Sequence, residues 1–105
     1  MYLEYNNQTI PVTTTHNKNI LKFHFQKLYY AIIIYNCNSY SSIANKQRID
    51  IVMTDNDLNI LSIKRNMHEN TIYKNENATT TIILPINTFS DLKNNTKLNI
   101  IKSKK

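Results

Sequence analysis

Residues 48–63, RIDIVMTDNDLNILSI, decide how the rest of the chain can be read. Two runs rich in β-branched and apolar residues, 49–53 and 58–63, flank Asp55-Asn56-Asp57, whose short polar side chains stabilise turns. The pattern predicts a β-hairpin. In its first arm Ile49, Ile51 and Met53 share one face and Asp50, Val52 and Thr54 the other, so a sheet with a single buried side would hide the first set. Asp50 is then the anomaly, a carboxylate in the middle of a strand.

Working outward, residues 1–14 predict a second hairpin. Tyr2 to Tyr5 precede a turn at Asn6-Asn7, and beyond it Ile10 and Val12 alternate with Thr9, Pro11 and Thr13. Pro11 has no N–H for a ladder, which predicts an edge strand. Residues 18–28 place Ile20, Leu21, Phe23, Phe25 and Leu28 at near-helical spacings, with Thr15 or Asn17 as N-cap, and predict a short helix or an irregular segment. YYAIIIY at 29–35 is a continuous apolar run of strand length, the expected central strand with both faces buried.

Residues 36–46 read as an irregular connection, and 65–77 as a polar surface excursion anchored by Ile72 and Tyr73. TTTIIL at 79–84 is a strand that Pro85 ends. Asn87 or Thr88 then caps a predicted short helix that turns Phe89 and Leu92 inward, and Leu98, Ile100 and Ile101 form a closing strand. The fold class that follows is mainly β: one domain over residues 1–105, a β-sandwich or barrel-like sheet carrying one or two short helices.

Composition narrows the chemistry. A chain of 105 residues, 41% hydrophobic, can bury roughly two thirds of its unfolded surface as one domain without disulfides or metal. Cys37 is the single cysteine, so an intrachain disulfide and a Cys-rich zinc site are both excluded, and a reducing, cytoplasmic setting is expected. No signal-like leader or membrane-length apolar run is present, which predicts a soluble, unprocessed chain with no membrane partner. Glycine is absent where an average chain would hold about seven, so positive-φ turns fall to Asn and Asp. The expected positions are Asn6-Asn7, Asp55-Asn56, 75–77 and Asn94-Asn95. Walker A loops, dinucleotide fingerprints and nucleophile elbows, which all need glycine, are excluded.

The net charge of +6 is concentrated at one end. Lys97, Lys102, Lys104 and Lys105 lie in residues 97–105 with no acid, and the rest of the chain holds nine basic against seven acidic residues. This basic tail is the candidate contact for nucleic acid. Tyrosines could add base stacking, but Lys and Arg are scarce in the runs that hold Tyr29, Tyr30 and Tyr35, so packing accounts for them better. His16, His24, His68 and Cys37 have none of the spacings that present two ligands to one ion, and no metal or cofactor is expected. The N-x-T triplets at Asn7, Asn77 and Asn94 are what an asparagine-rich chain produces by chance.

Asp50 is the leading site candidate, either as a buried acceptor that fixes the neighbouring loop or as a functional carboxylate grouped with Lys46 and Ser41. For the buried form the expected partners are Arg48, Lys46 or backbone N–H groups. Asp55 reads as a turn residue whose carboxylate accepts from backbone N–H groups two residues on.

Taken in order, these segments resemble the short bacterial form of the family called domain of unknown function 192. The resemblance rests on Ile49-Asp50 with Asp55, on Lys46 in the preceding loop, and on Leu84-Pro85 with Thr88, and it spans nearly the whole chain. Phe23 and Phe25 match the aromatic positions of the family's first helix, whereas its arginine and glycine fall at Asn19 and Lys22. Ser42, Ile43, Ala44 and Asn45 stand where the family has aromatic and methionine residues. The resemblance implies a β-sandwich-like single domain and brings no activity with it. The function expected from the sequence is a small non-catalytic β domain with a binding or structural role, as monomer or homodimer. The alternatives are weak nucleic-acid binding through the tail and a degenerate small-molecule or enzyme site around Asp50.

Overall fold

In the computed structural model Asn6 and Asn7 both take left-handed backbone, at φ 50° and 66°, between the paired residues Tyr5 and Gln8. A two-residue type I′ hairpin turn needs positive φ at both positions, and asparagine tolerates it best after glycine. The turn joins β1 (Tyr2–Tyr5) to β2 (Gln8–Thr15) as the sequence predicts. The structure describes residues 1–16, 27–42 and 45–102. Most of the predicted helix at 18–28 lies outside them, and Lys27 and Leu28 are not helical.

Next come β3 (Ala31–Tyr35), β4 (Ser39–Ser41), β5 (Ile49–Thr54), β6 (Ile60–Met67), β7 (Ile72–Lys74), β8 (Thr80–Pro85) and β9 (Asn99–Ile101). Seven of the strands form one sheet in the order β6-β5-β8-β3-β2-β1-β9, so the apolar run around AIIIY is indeed central. Among the described residues only β2 and β3 pair in parallel. The sheet curls until its two edges meet at one end. There Ile60 N–H donates to Thr96 O, Asn95 N–H to Ile60 O and Leu98 N–H to Leu58 O, with Asn59 bridged to Lys97. This seam makes the architecture barrel-like, because a curled sheet that joins its edges removes the exposed ladder groups.

Three expectations need correction. Pro11 does not mark an edge, since β2 lies between β1 and β3. Val12 N–H donates to Met1 O, so by strand alternation the nitrogen of Pro11 points to the other side, where the β2–β3 ladder begins only at Val12. No donor is missed there. The second correction concerns residues 86–91, which form successive turns and no helix. Asn87 and Phe89 sit at φ 67° and 49°, and a right-handed helix cannot pass through them. Phe89 and Leu92 still point inward, both buried.

The third correction is that β5 is buried along its whole length. Val52 packs in a core inside the curl with Leu3, Ile33, Ile82, Leu84, Phe89 and Leu98. Ile49, Ile51 and Met53 pack in a second core on the outer face with Ile32, Ile34, Cys37, Tyr40 and Ile83. That outer face is covered by a two-stranded sheet of β4 and β7, with Tyr40 paired to Tyr73. The segment predicted as an irregular connection therefore holds β4, and the one predicted as a surface excursion holds the end of β6 and all of β7. Tyr73 anchors the cover as expected, but Ile72 is 72% exposed.

Candidate functional site

Asp50 is 1% exposed and every contact it makes belongs to the fold. Its register explains why a carboxylate belongs there. Ile49 pairs with Met67 but Ile51 with Lys64, so Asp50 faces an extra residue in β6, a β-bulge at Arg65-Asn66. Asn66 takes the left-handed conformation at φ 54°, which in most bulges falls to glycine. Its N–H leaves the ladder and is caught by Asp50 Oδ1 at 2.8 Å. Asp50 Oδ2 accepts from Arg65 Nη1 at 2.8 Å and from Asn87 N–H at 3.1 Å.

Arg65 completes the clasp by donating from Nη1 to Thr88 O at 2.9 Å and from Nη2 to Phe89 O at 2.6 Å. The bulge and the strained turn after β8 are thus tied through one ion pair. The partners expected from the sequence are met in kind by backbone N–H groups, while the cation is Arg65 in place of Arg48 or Lys46. Arg48 Nη1 instead lies 3.1 Å from His68 Nε2.

A cavity of about 300 Å³ opens beside Asp50, lined also by Arg65, Asn66, Ile86, Asn87 and Ser90. Neither Lys46 nor Ser41 lines it. Lys46 is exposed on the loop before β5, and Ser41 is in β4, paired with Ile72 in the covering sheet. The proposed trio is therefore not assembled at this cavity. The missed partner, Arg65, left one signal in the sequence: an Arg-Asn pair inside a predicted polar segment, where asparagine can take a bulge's left-handed position.

Asp55 is the turn residue its position suggests. Its carboxylate accepts from Asp57 N–H, Asn59 N–H and Asn59 Nδ2 at 2.9–3.0 Å. The Asn59 side chain chiefly holds its pKa below the ordinary value, with the backbone donors and Lys97 acting in the same direction. The left-handed residue of this turn is Leu58, at φ 64°, and not Asp55 or Asn56. Leu58 is held in that unfavourable region by its own N–H to Asp55 O and by Leu98 N–H to its carbonyl.

The seam forms a second cavity, of about 450 Å³, lined by Tyr5, Asn6, Asp91, Lys93, Thr96 and Lys97. Thr96 Oγ1 donates to Lys93 O at 2.6 Å and accepts from Tyr5 Oη at 3.1 Å, which fixes the loop carrying both lysines. Asp91 accepts from Asn6 Nδ2 at 2.6 Å and Gln8 Nε2 at 3.0 Å. The Asn6 amide is the main reason its pKa lies below the usual carboxylate value, with Gln8 and Lys93 adding to it. Of the tail lysines among the described residues, Lys97 joins this cleft. Lys102 follows β9, whose Ile101 pairs with Tyr2 at the far end of β1, and Lys104 and Lys105 lie outside the described residues.

Among the described residues no group of three His, Cys, Asp or Glu side chains is placed to hold a metal ion. Cys37 is buried and donates to Ser39 O, and the His16 ring lies 5.2 Å from that of Tyr35. His24 lies outside the described residues. Tyr29 is 70% exposed, whereas Tyr30 and Tyr35 pack against the two cores.

Tyr40 gives the cover a pH dependence. Burial pushes its pKa up to about 12 from 10.0, with the Asn45 amide opposing. A tyrosine whose folded pKa exceeds its unfolded one favours the folded state fully below pH 10.0, and that contribution is lost as pH rises toward 12. Thermal melts from pH 9 to 12 should show a loss of stability that Tyr40→Phe removes from this window; identical alkaline slopes for both proteins would refute the assignment.

Comparison with solved structures finds the fold in a protein of unknown function from Novosphingobium aromaticivorans DSM 12444. The TM-score is 0.71 at 10% sequence identity, over 94% of this chain and 82% of that one. No family model and no curated protein sequence matches the chain. At this identity the likeness is one of fold alone.

Proposed function

We propose that the chain is a small non-catalytic β domain whose role is binding or structural, working in the cytoplasm as a monomer or homodimer. The observation that carries the reading is the commitment of Asp50. Asp50 is 1% exposed and its carboxylate accepts hydrogen bonds from the bulge, the turn and Arg65, so a role in the fold accounts for it. A general acid or base needs a lone pair or proton free to meet substrate. The alternative of a degenerate site at Asp50, Lys46 and Ser41 loses support because the cavity there is lined by neither Lys46 nor Ser41.

Membership of the family domain of unknown function 192 is part of the same proposal, supported by the order of the Asp50, Asp55 and Leu84-Pro85-Thr88 matches. It would be upheld by homologues of this chain that align with that family at Lys46, Asp50, Asp55 and Leu84-Pro85-Thr88, and overturned by homologues that do not. Among the described residues no helix is long and apolar enough to cross a membrane.

Native mass spectrometry of gently purified protein tests the binding role. A reproducible mass excess is expected, from a retained small ligand or a second copy. A bare monomer under all gentle conditions, together with turnover of any small substrate, would replace this reading with an enzymatic one.

A further inference from the structure

We propose that the seam cleft is an anion site, in which Lys93 and Lys97 together bind the phosphate group of a small phosphorylated molecule. The inference rests on the reading of the chain as a non-catalytic binding domain and names the ligand class.

Lys93 and Lys97 line one cavity, and neither forms an ion pair within 4 Å among the described residues, where Arg65–Asp50 is the pair present. Asp91 and Asp55 remain charged neighbours, Lys93 lying near the one and Lys97 near the other, but their oxygens take hydrogen bonds from donors other than the lysines. Each oxygen of Asp91 accepts a side-chain amide, and Asp55 takes three donors from its own turn. The lining carries two lysines against one aspartate, a net of +1, with Asn6 and Thr96 as further polar groups. Two lysines beside one cleft can meet an anion, and lysine binds phosphate as a point charge without fixed fork geometry.

The backbone that carries these lysines is set before any ligand arrives. Thr96 ties Lys93 O to the Tyr5 hydroxyl, and the Asn59 bridge fixes the backbone of Lys97. Such ordering lowers the entropy lost on binding. The cavity volume lies within the range of small-molecule sites, roughly 300–1,000 Å³.

A polynucleotide fits less well. Lys102 lies five residues beyond Lys97 along an extended segment, about 16 Å away at the usual strand rise, and the two do not line one groove. Tyr5 cannot act as a stacking platform, since it is 9% exposed and its ring packs 6.0 Å from that of Phe89.

The test is a chemical-shift titration of the full chain at low salt with inorganic phosphate, a nucleoside 5′-monophosphate, the unphosphorylated nucleoside and a single-stranded oligonucleotide. The two phosphate compounds should shift Asn6 and residues 93–97 saturably, and the nucleoside should not. Lys93→Gln/Lys97→Gln should weaken binding at least about tenfold, Lys93→Arg/Lys97→Arg should keep it, and Lys102→Gln should leave it unchanged. Melting temperatures of the variants verify that they fold.

No saturable shift by roughly 10 mM phosphate, or undiminished affinity in the double glutamine variant, overturns the cleft proposal. So does oligonucleotide binding that depends on Lys102. Release of phosphate from the monophosphate would instead overturn the non-catalytic reading while leaving the site in place. A different ligand found by native mass spectrometry would spare the binding reading and remove this one.

Discussion

Asp50→Ala should lower the stability of the domain by about 3 kcal/mol, among the largest losses available from any polar side chain in it. The substitution strips acceptors from Asn66 N–H and Asn87 N–H and leaves Arg65 without its carboxylate. Each orphaned backbone donor costs about 1–3 kcal/mol where water cannot replace the acceptor. Arg65 adds less than a fully buried cation would, because its side chain is 35% exposed and can rehydrate.

Asp50→Asn does not rescue the network. The amide has one acceptor oxygen, so its NH2 group must face either Asn66 N–H or the Arg65 and Asn87 donors. Arg65→Met alone removes the clasp on Thr88 O and Phe89 O, and the double variant should lose clearly less than the two single losses added, since the partners share one network. Urea unfolding of the four proteins measures this. An Asp50→Ala variant within about 1 kcal/mol of the parent that also loses a bound ligand would make Asp50 a functional carboxylate and sink the structural assignment.

What could be read from the sequence, and what could not, divides along a physical line. The two hairpins and the central strand were legible because their signals are local: β-branched runs, an Asn-Asn turn and an Asp-rich turn. The strands at β8 and β9 were legible in the same way, whereas residues far apart in the chain set the register, the sheet order and the curl. The face assignment of β5 failed because Asp50 and Thr54 look like solvent-facing residues, whereas one is paired across a bulge and the other is buried beside β8.

Left-handed residues show the same division. Asn6, Asn7 and Asn95 follow from composition, but Leu58 and Phe89 are held by tertiary hydrogen bonds, and no property of leucine or phenylalanine announces them. The seam cleft was half visible. Lys97 could be counted as charge, but its company with Lys93 and Asn6 depends on the sheet curling until the segments that lead into β6 and β9 meet.

Ile33→Ala and Ile83→Ala should each lower stability by about 2–5 kcal/mol, and their equality is the informative part. Both side chains are fully buried, Ile33 in the core inside the curl and Ile83 in the core beneath the β4–β7 cover. A sheet with one buried face would spare one of the two, as an exposed isoleucine is spared: Ile72→Ala, at 72% exposure, should stay within about 0.5 kcal/mol of the parent. The central strand joins the layers. Ala31 and Ile33 pack in one core while Ile32 and Ile34 pack in the other, so a cavity on either side loosens the same strand. Both variants should therefore unfold in one transition with an unchanged denaturant slope. If Ile83→Ala costs less than about 1 kcal/mol, or if the β4–β7 cover melts separately, the outer layer is no part of the cooperative fold.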